Sequence, residues 1–191
     1  MLSKNFIVLH EVVQELGSGF DTGSYQMISR SGIDLPDGRG IVFAGINISE
    51  FGGSRIPLQT IEAYLATEYS IWGNWHLILR VGERNDELAS LFQKCLVSSA
   101  AVLTAWNPYS ELRSDAENQG AQVELISEID RLGLRHEPGH GVDPSGKWPP
   151  EASQFVLGLD LDTAASFGRQ FGQNGIVWVS ANAVPTLVLL R

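Results

Sequence analysis

From residue 100 to residue 191 the apolar positions alternate between short continuous runs and stripes of helical period. Ala100–Trp106 (AAVLTAW) is an apolar run of strand length, stopped by Asn107-Pro108. Ser114-Asp115-Ala116-Glu117 has the spacing of a capping box, in which the hydroxyl takes a free N–H and the Glu reaches back to the cap. It opens a helix with the stripe Ala121, Leu125, Ile129 and Leu132, ended by Gly133. A short strand is expected near Leu134, and the stretch His136–Pro150, rich in Gly, Pro and Asp, reads as a loop. Ser153–Leu159 reads as a strand. Asp160 or Asp162 then caps a helix with Leu161, Ala164, Ala165, Gly168 and Phe171 on its apolar side, closed by Gly172. Gly175–Ser180 and Pro185–Leu190 read as a closing strand pair. The order β-α-β-β-α-β plus one strand predicts an α+β fold, a ferredoxin-like sandwich with both helices on one face of an antiparallel sheet and an extra C-terminal strand.

The pattern before residue 100 is more broken. Asn5 can cap a helix with the stripe Phe6, Leu9, Val13 and Leu16, closed by Gly17, and a Gly/Ser stretch runs to Ser24. Two strand-like runs, Tyr25–Ser29 and Ile41–Ile48, flank the turn signal Asp34-Leu35-Pro36-Asp37-Gly38. Phe51–Arg55 reads as a loop, and Pro57 suits the first turn of a helix carrying Leu58, Ile61 and Leu65. Tyr69–Val81 has the form of a hairpin around Gly73-Asn74, with Trp72 and Trp75 flanking the turn. Asn85 caps a helix with the stripe Leu88, Leu91, Phe92 and Cys95. Residues 1–60 are therefore expected to be an N-terminal α/β addition packed on a main domain of residues 61–191.

The predicted topology gathers polar residues. Three connections, residues 107–113, 136–150 and 172–174, meet at one end of the sheet. They bring Asn107, Ser110, Arg113, Glu117, Asn118, Trp148, Glu151, Arg169, Gln173 and Asn174 towards the same place, where loops on a rigid scaffold commonly carry binding residues. Two arginines among amides suit a carboxylate or phosphate.

Composition narrows the partners. The 191-residue chain has a formal net charge of -9, with acidic residues spread along it, which argues against general binding of nucleic acid or anionic membranes. A single cysteine, Cys95, permits no intramolecular disulfide and points to a reducing compartment. No apolar run is long enough to span a bilayer, and Met1–Leu9 lacks the features of a signal peptide, so a cytoplasmic location is expected. His136-Glu137-Pro138-Gly139-His140 repeats the letters of a zinc-peptidase helix, but Pro followed by Gly does not hold that helix. No metal site and no cofactor are expected. No serine lies in a nucleophile elbow, and no Gly-rich phosphate loop with its Lys is present.

From Thr104-Ala105-Trp106-Asn107-Pro108-Tyr109-Ser110 onwards the chain resembles a bacterial family known only as domain of unknown function 3293. The likeness continues through Glu117-Asn118, Asp143-Pro144-x-Gly146-x-Trp148-Pro149-x-Glu151-x-Ser153 and Gly158-x-Asp160. It runs on through Gly168-Arg169-x-Phe171-Gly172-Gln173-Asn174-x-Ile176-Val177-Trp178, and Tyr64–Tyr69 resembles the family's start. The resemblance covers about residues 61–191 and implies that the gathered polar residues belong to the family's own signature. It carries no activity.

The expectation is therefore a non-catalytic binding or interaction module, meeting a protein partner or a small anionic ligand; no motif specifies an oligomeric state. The alternative is an enzyme acting on a nucleotide-like or otherwise phosphorylated small molecule, with Arg113 and Arg169 binding charge and Glu117 or Glu151 as base. The first is preferred because catalysis needs a perturbed base with a defined partner, and no sequence motif supplies one.

Overall fold

The computed structural model describes residues 26–28, 33–34, 41–42 and 56–191. In chain order these form β1 (Gln26–Ile28), β2 (Ile33–Asp34), β3 (Ile41–Val42), α1 (Leu58–Ala66), β4 (Glu68–Ile71) and β5 (Leu77–Arg80). Next come α2 (Asp86–Cys95), β6 (Ala100–Leu103), a 3-10 turn (Pro108–Ser110), α3 (Asp115–Arg131) and β7 (His136–Val142). The chain closes with β8 (Glu151–Leu157), α4 (Leu161–Gln170), β9 (Gly175–Val179) and β10 (Pro185–Leu189). The helix predicted from Asn5 and the loop Phe51–Arg55 lie outside the described residues.

The predicted signals act where local chemistry is decisive. Asn85 caps α2 by accepting from Leu88 N at 2.7 Å. Ser114 and Glu117 form the reciprocal capping box of α3, and Asp160 caps α4 through Thr163 N at 2.8 Å. The hairpin β4–β5 turns at Gly73-Asn74 as expected. Gly73 has φ +115, and a Cβ there would overlap the Glu137 carboxylate, to which Asn74 Nδ2 donates at 2.6 Å. Trp75 packs edge-on against Phe155, so this aromatic covers core.

Among the described residues, eight strands form one antiparallel sheet in the order β1-β10-β9-β6-β8-β7-β4-β5, and β2 pairs with β3 separately. The four strands alternating with α3 and α4 lie together as β9-β6-β8-β7, with the hairpin added beyond β7 and β10 beyond β9.

One expectation is corrected. The stretch His136–Pro150 is not one loop: its first half is β7, paired with β8 on one side and β4 on the other, in place of a short strand near Leu134. Its glycines had suggested a loop, yet Gly139 permits close strand approach, since a Cβ there would stand 2.7 Å from Ser70 O. Pro138 sits beyond the last β4 pair, and its carbonyl accepts from Trp72 N at 3.1 Å. The two helices of the predicted unit, α3 and α4, share one face of the sheet as expected, while α1 and α2 cover the other. Alternate residues of β6, β8 and β9 are apolar on both sides. Ala101, Leu103, Val156 and Trp178 pack in one core with Leu125 and Ile129 of α3 and Ala164 and Ala165 of α4. Val102, Phe155, Leu157 and Val177 pack on the other side with Ile61 and Leu65 of α1 and Leu88 and Phe92 of α2. The sheet is thus the middle layer of three. Without α1 and α2 that second apolar face would stand in water.

Candidate functional site

The ladder of β6 ends at Leu103, and the next four residues are held by side chains instead. Thr104 Oγ1 donates to Ala152 O at 2.7 Å and accepts from Trp106 N at 3.0 Å. Gln122 of α3 accepts from Ala105 N at 3.0 Å. Asn107 then adopts a left-handed conformation (φ 45), which Asn tolerates better than most residues. Its backbone N–H donates to Asn118 Oδ1 at 2.8 Å, and its own Oδ1 accepts from Asn118 Nδ2 and from Arg113 N, both at 3.0 Å. Because Arg113 N–H can only donate, the orientation of the Asn107 amide is set, and its Nδ2 must face the other way. There it donates to Glu151 Oε1 at 2.7 Å.

Tyr109 (φ 58) and Ser110 (φ 60) are also left-handed, so three of the four residues 107–110 occupy a conformation that costs free energy. Neighbouring elements hold them there. Tyr109 N donates to Gly172 O at 2.7 Å, Gln173 Nε2 to Trp106 O at 3.1 Å, and Asn174 Nδ2 to Ser110 Oγ at 3.0 Å. Local strain sustained by long-range bonds is typical of functional loops.

Helix α1 closes over this end of the sheet. Tyr64 Oη lies 2.8 Å from Ser110 Oγ and accepts from Asn174 Nδ2 at 3.3 Å, while Tyr69 Oη donates to Tyr64 O at 3.2 Å. Between α1 and the sheet lies a cavity of about 410 Å³. Its floor includes Val102, Val177 and Leu187, and its walls carry Tyr64, Trp106 and Trp148. Trp148 arrives on the loop after β7, which Asp143 shapes by accepting from Ser145 N at 2.9 Å and Lys147 N at 2.8 Å. Desolvation pushes the Asp143 carboxyl up, but those bonds and the one from Ser145 Oγ outweigh it and leave its pKa low.

Glu151 is the carboxylate that lines the cavity, and no Lys, Arg or His lines it among the described residues. Burial raises its pKa above the usual carboxylate range, opposed by the Asn107 hydrogen bond. Burial also carries the nearby Tyr69 hydroxyl well above the ordinary tyrosine range, with charge on Tyr64 and on Glu151 adding to the rise. Two residues along the same face of β8, Ser153 Oγ is buried with no hydrogen-bond partner among the described residues, and Ser153 also lines the cavity.

The predicted cluster is thus partly assembled. Asn107, Ser110, Trp148, Glu151 and Gln173 line the cavity, with Asn118 and Asn174 bracing them. Glu117 is exposed and engaged in its capping box, where hydrogen bonds from Ser114 lower its pKa. Arg113 is half-exposed, 4.0 Å from Glu111, and does not line the cavity. Arg169 lines a second, smaller cleft of about 160 Å³ with Tyr109, Gln173 and Arg191, whose guanidinium lies 4.5 Å from the Tyr109 ring centroid. The two arginines expected to clamp one charge therefore serve different surfaces.

Thr104, Trp106 and Ser153 were legible as strand residues and as letters of the family resemblance, and Tyr64 as part of the helix after Pro57 and of the resemblance's start, but none of them as a site residue. Gln122 carried a signal that could have been read: with Asn118 it forms an i, i+4 amide pair on the inner side of α3. His136 and His140 sit on a strand, about 13 Å apart along it, too far to share one metal ion. His136 instead contacts Gln154 Oε1 and Asp130 Oδ1, each at 3.0 Å, and His140 stacks on Trp72. Cys95, expected on a buried stripe, is half-buried beside the core. No helix among the described residues is long and apolar enough to cross a membrane.

No curated protein and no solved structure matches the chain. The strained loop, the amides that brace it, Glu151 and Gln173 all fall within residues 103–176, and that stretch matches the model of the family described as "Protein of unknown function (DUF3293)".

Proposed function

We propose that this protein is a binding module that holds a small molecule in the cavity between α1 and the sheet. The observation that carries the reading is the cavity itself, about 410 Å³, within the range of small-molecule sites. Its make-up fits too: an apolar floor, aromatic walls and a few convergent polar groups are the usual composition of such sites. The clasp from Tyr64 to Ser110 and Asn174 makes α1 the natural cover. A flat polar end would have favoured a protein partner; the concave one favours a ligand. We take β9-β6-β8-β7 with α3 and α4 as a ferredoxin-like unit on which this site is built, a reading supported by the antiparallel strand order.

Ala63 of α1 lines the cavity, so Ala63→Phe should fill it. Compounds that bind there will raise the melting temperature of the wild type and leave that of Ala63→Phe unchanged. Stabilisers that act equally on both proteins would place binding elsewhere and sink the reading.

One observation favours an enzymatic variant of the same site: Glu151 is a half-buried carboxylate of raised pKa, oriented by Asn107, as a general base would be. Its substrate would not be a phosphorylated one, because no described cation lines the cavity. In that case Glu151→Gln would abolish turnover and retain binding.

A further inference from the structure

A carboxylate withdrawn from water needs more than one partner. Glu151 accepts one hydrogen bond, from Asn107 Nδ2 to Oε1, and its Oε2 accepts none from any described residue. The donor geometry also matters. Asn107 is forced by Arg113 N and Asn118 to present N–H rather than C=O to Glu151, so the site is arranged to hold the carboxylate as an acceptor. Every other titratable group lining the cavity among the described residues is a tyrosine, Tyr64 or Tyr69. Among the described residues the wall therefore contains a carboxylate and no compensating positive charge, in a protein of net charge -9.

Around Glu151 the remaining surface suits the rest of such a partner. Trp106, Trp148 and Tyr64 offer aromatic faces, which attract cations as well as flat apolar groups. Val102, Val177 and Leu187 provide an apolar floor. Ser153 Oγ, buried and unpartnered on the same strand face as Glu151, is a second polar group for which the described residues supply no bond.

We propose that the ligand is an organic cation of the amine or amidine class, with its N–H donors on Glu151 and its apolar body between the aromatic walls. The inference rests on the small-molecule reading above and adds the charge and chemistry of the occupant. It replaces the anionic ligand expected from Arg113 and Arg169, neither of which reaches this cavity. A charge-assisted hydrogen bond to a half-buried carboxylate discriminates strongly against a partner that lacks the charge.

The test uses matched probes on the full chain by calorimetric titration: tryptamine, tryptophol and indolepropionate, and phenethylamine, phenethyl alcohol and phenylpropionate. The amines should bind about tenfold or more tightly than their alcohols, and the carboxylates least. Glu151→Gln keeps the side chain's size and should bring amine and alcohol to within about threefold of each other. Glu151→Asp keeps the charge and should retain the amine preference, which separates loss of charge from loss of fold. If the probes bind, lose binding in Ala63→Phe, and show no amine preference or an anion preference, the cation inference is overturned while the cavity reading stands. If no probe of any charge binds, both fall together.

Discussion

The two faces of the central sheet are built from the same strands, and they have been put to different uses. On the face covered by α3 and α4, Ala101, Leu103, Val156 and Trp178 meet Leu125, Ile129, Ala164 and Ala165 with little space to spare. Gly168 shows how tight it is, for a Cβ there would stand 2.3 Å from Leu190 Cδ1 and 2.7 Å from Ile176 Cγ2. On the face covered by α1 and α2, the core is equally apolar towards the α2 end but opens into a cavity under α1. The next residues outward on that face are Thr104 and Trp106 of the β6 chain and Ser153 and Glu151 of β8. The difference teaches that one layer supplies rigidity and the other supplies space, and that the strained 107–110 loop sits where they meet.

That contrast can be broken most sharply on the packed side. Leu125 is fully buried, and Leu125→Ala should cost about 3 kcal/mol in denaturant unfolding, because the lost transfer energy is compounded by the void left behind. Gly168→Val should cost about 2 kcal/mol by forcing Leu190 and Ile176 aside. A loss below about 0.5 kcal/mol in both would show the packed face to be looser than described.

At the junction, Asn107→Ala removes the acceptor for Asn118 and Arg113 N and the donor to Glu151, and it places a less tolerant residue at positive φ. A loss of about 2 kcal/mol is expected, with reduced ligand affinity. On the open side, Ala63→Phe should change stability by less than about 1 kcal/mol, since its ring enters existing space, yet it should abolish binding. Comparable destabilisation by Ala63→Phe and Gly168→Val would erase the distinction between the faces.

The smallest effect is a pH dependence. Glu151 has a folded pKa raised above its unfolded one, so the native state binds the extra proton and stability falls as pH rises from the ordinary carboxylate range through the raised value. Below that range the group contributes no difference. Glu151→Gln should therefore be more stable than the wild type at neutral pH, and the advantage should vanish in acid. An advantage that persists unchanged at low pH would mean that the ionised carboxylate is not its cause.

Much of the fold could be read from short stretches of chain. The capping box at Ser114, the cap at Asn85, the Gly73-Asn74 turn and the alternation from Ala100 to Leu190 each depend on residues within one helical turn or one strand of each other. The convergence of residues 107–113 and 172–174 with the connection expected at 136–150 followed from strand order alone, although only residues 143–150 of that connection are loop. The arginines misled because both lie near that end in the chain, while side-chain direction sends Arg113 towards Glu111 and Arg169 to the smaller cleft. Strand β7 was hidden because Pro138, Gly139 and Gly141 resemble a loop, and only contact with β4 shows why a glycine is needed there.

By itself, the amino-acid order determined most of the secondary elements from residue 57 onwards, β7 excepted, with their caps and turns, since propensity, hydrogen-bond capping and periodicity act over a few residues. The tertiary structure alone decided that α1 returns over the second face and latches Tyr64 to Ser110. It also decided that, among the described residues, the enclosed space is lined by one carboxylate and no cation. These are relations between segments some fifty to a hundred residues apart, as from Tyr64 to Ser110 and Asn174, and no local pattern encodes which of several apolar faces such segments will cover.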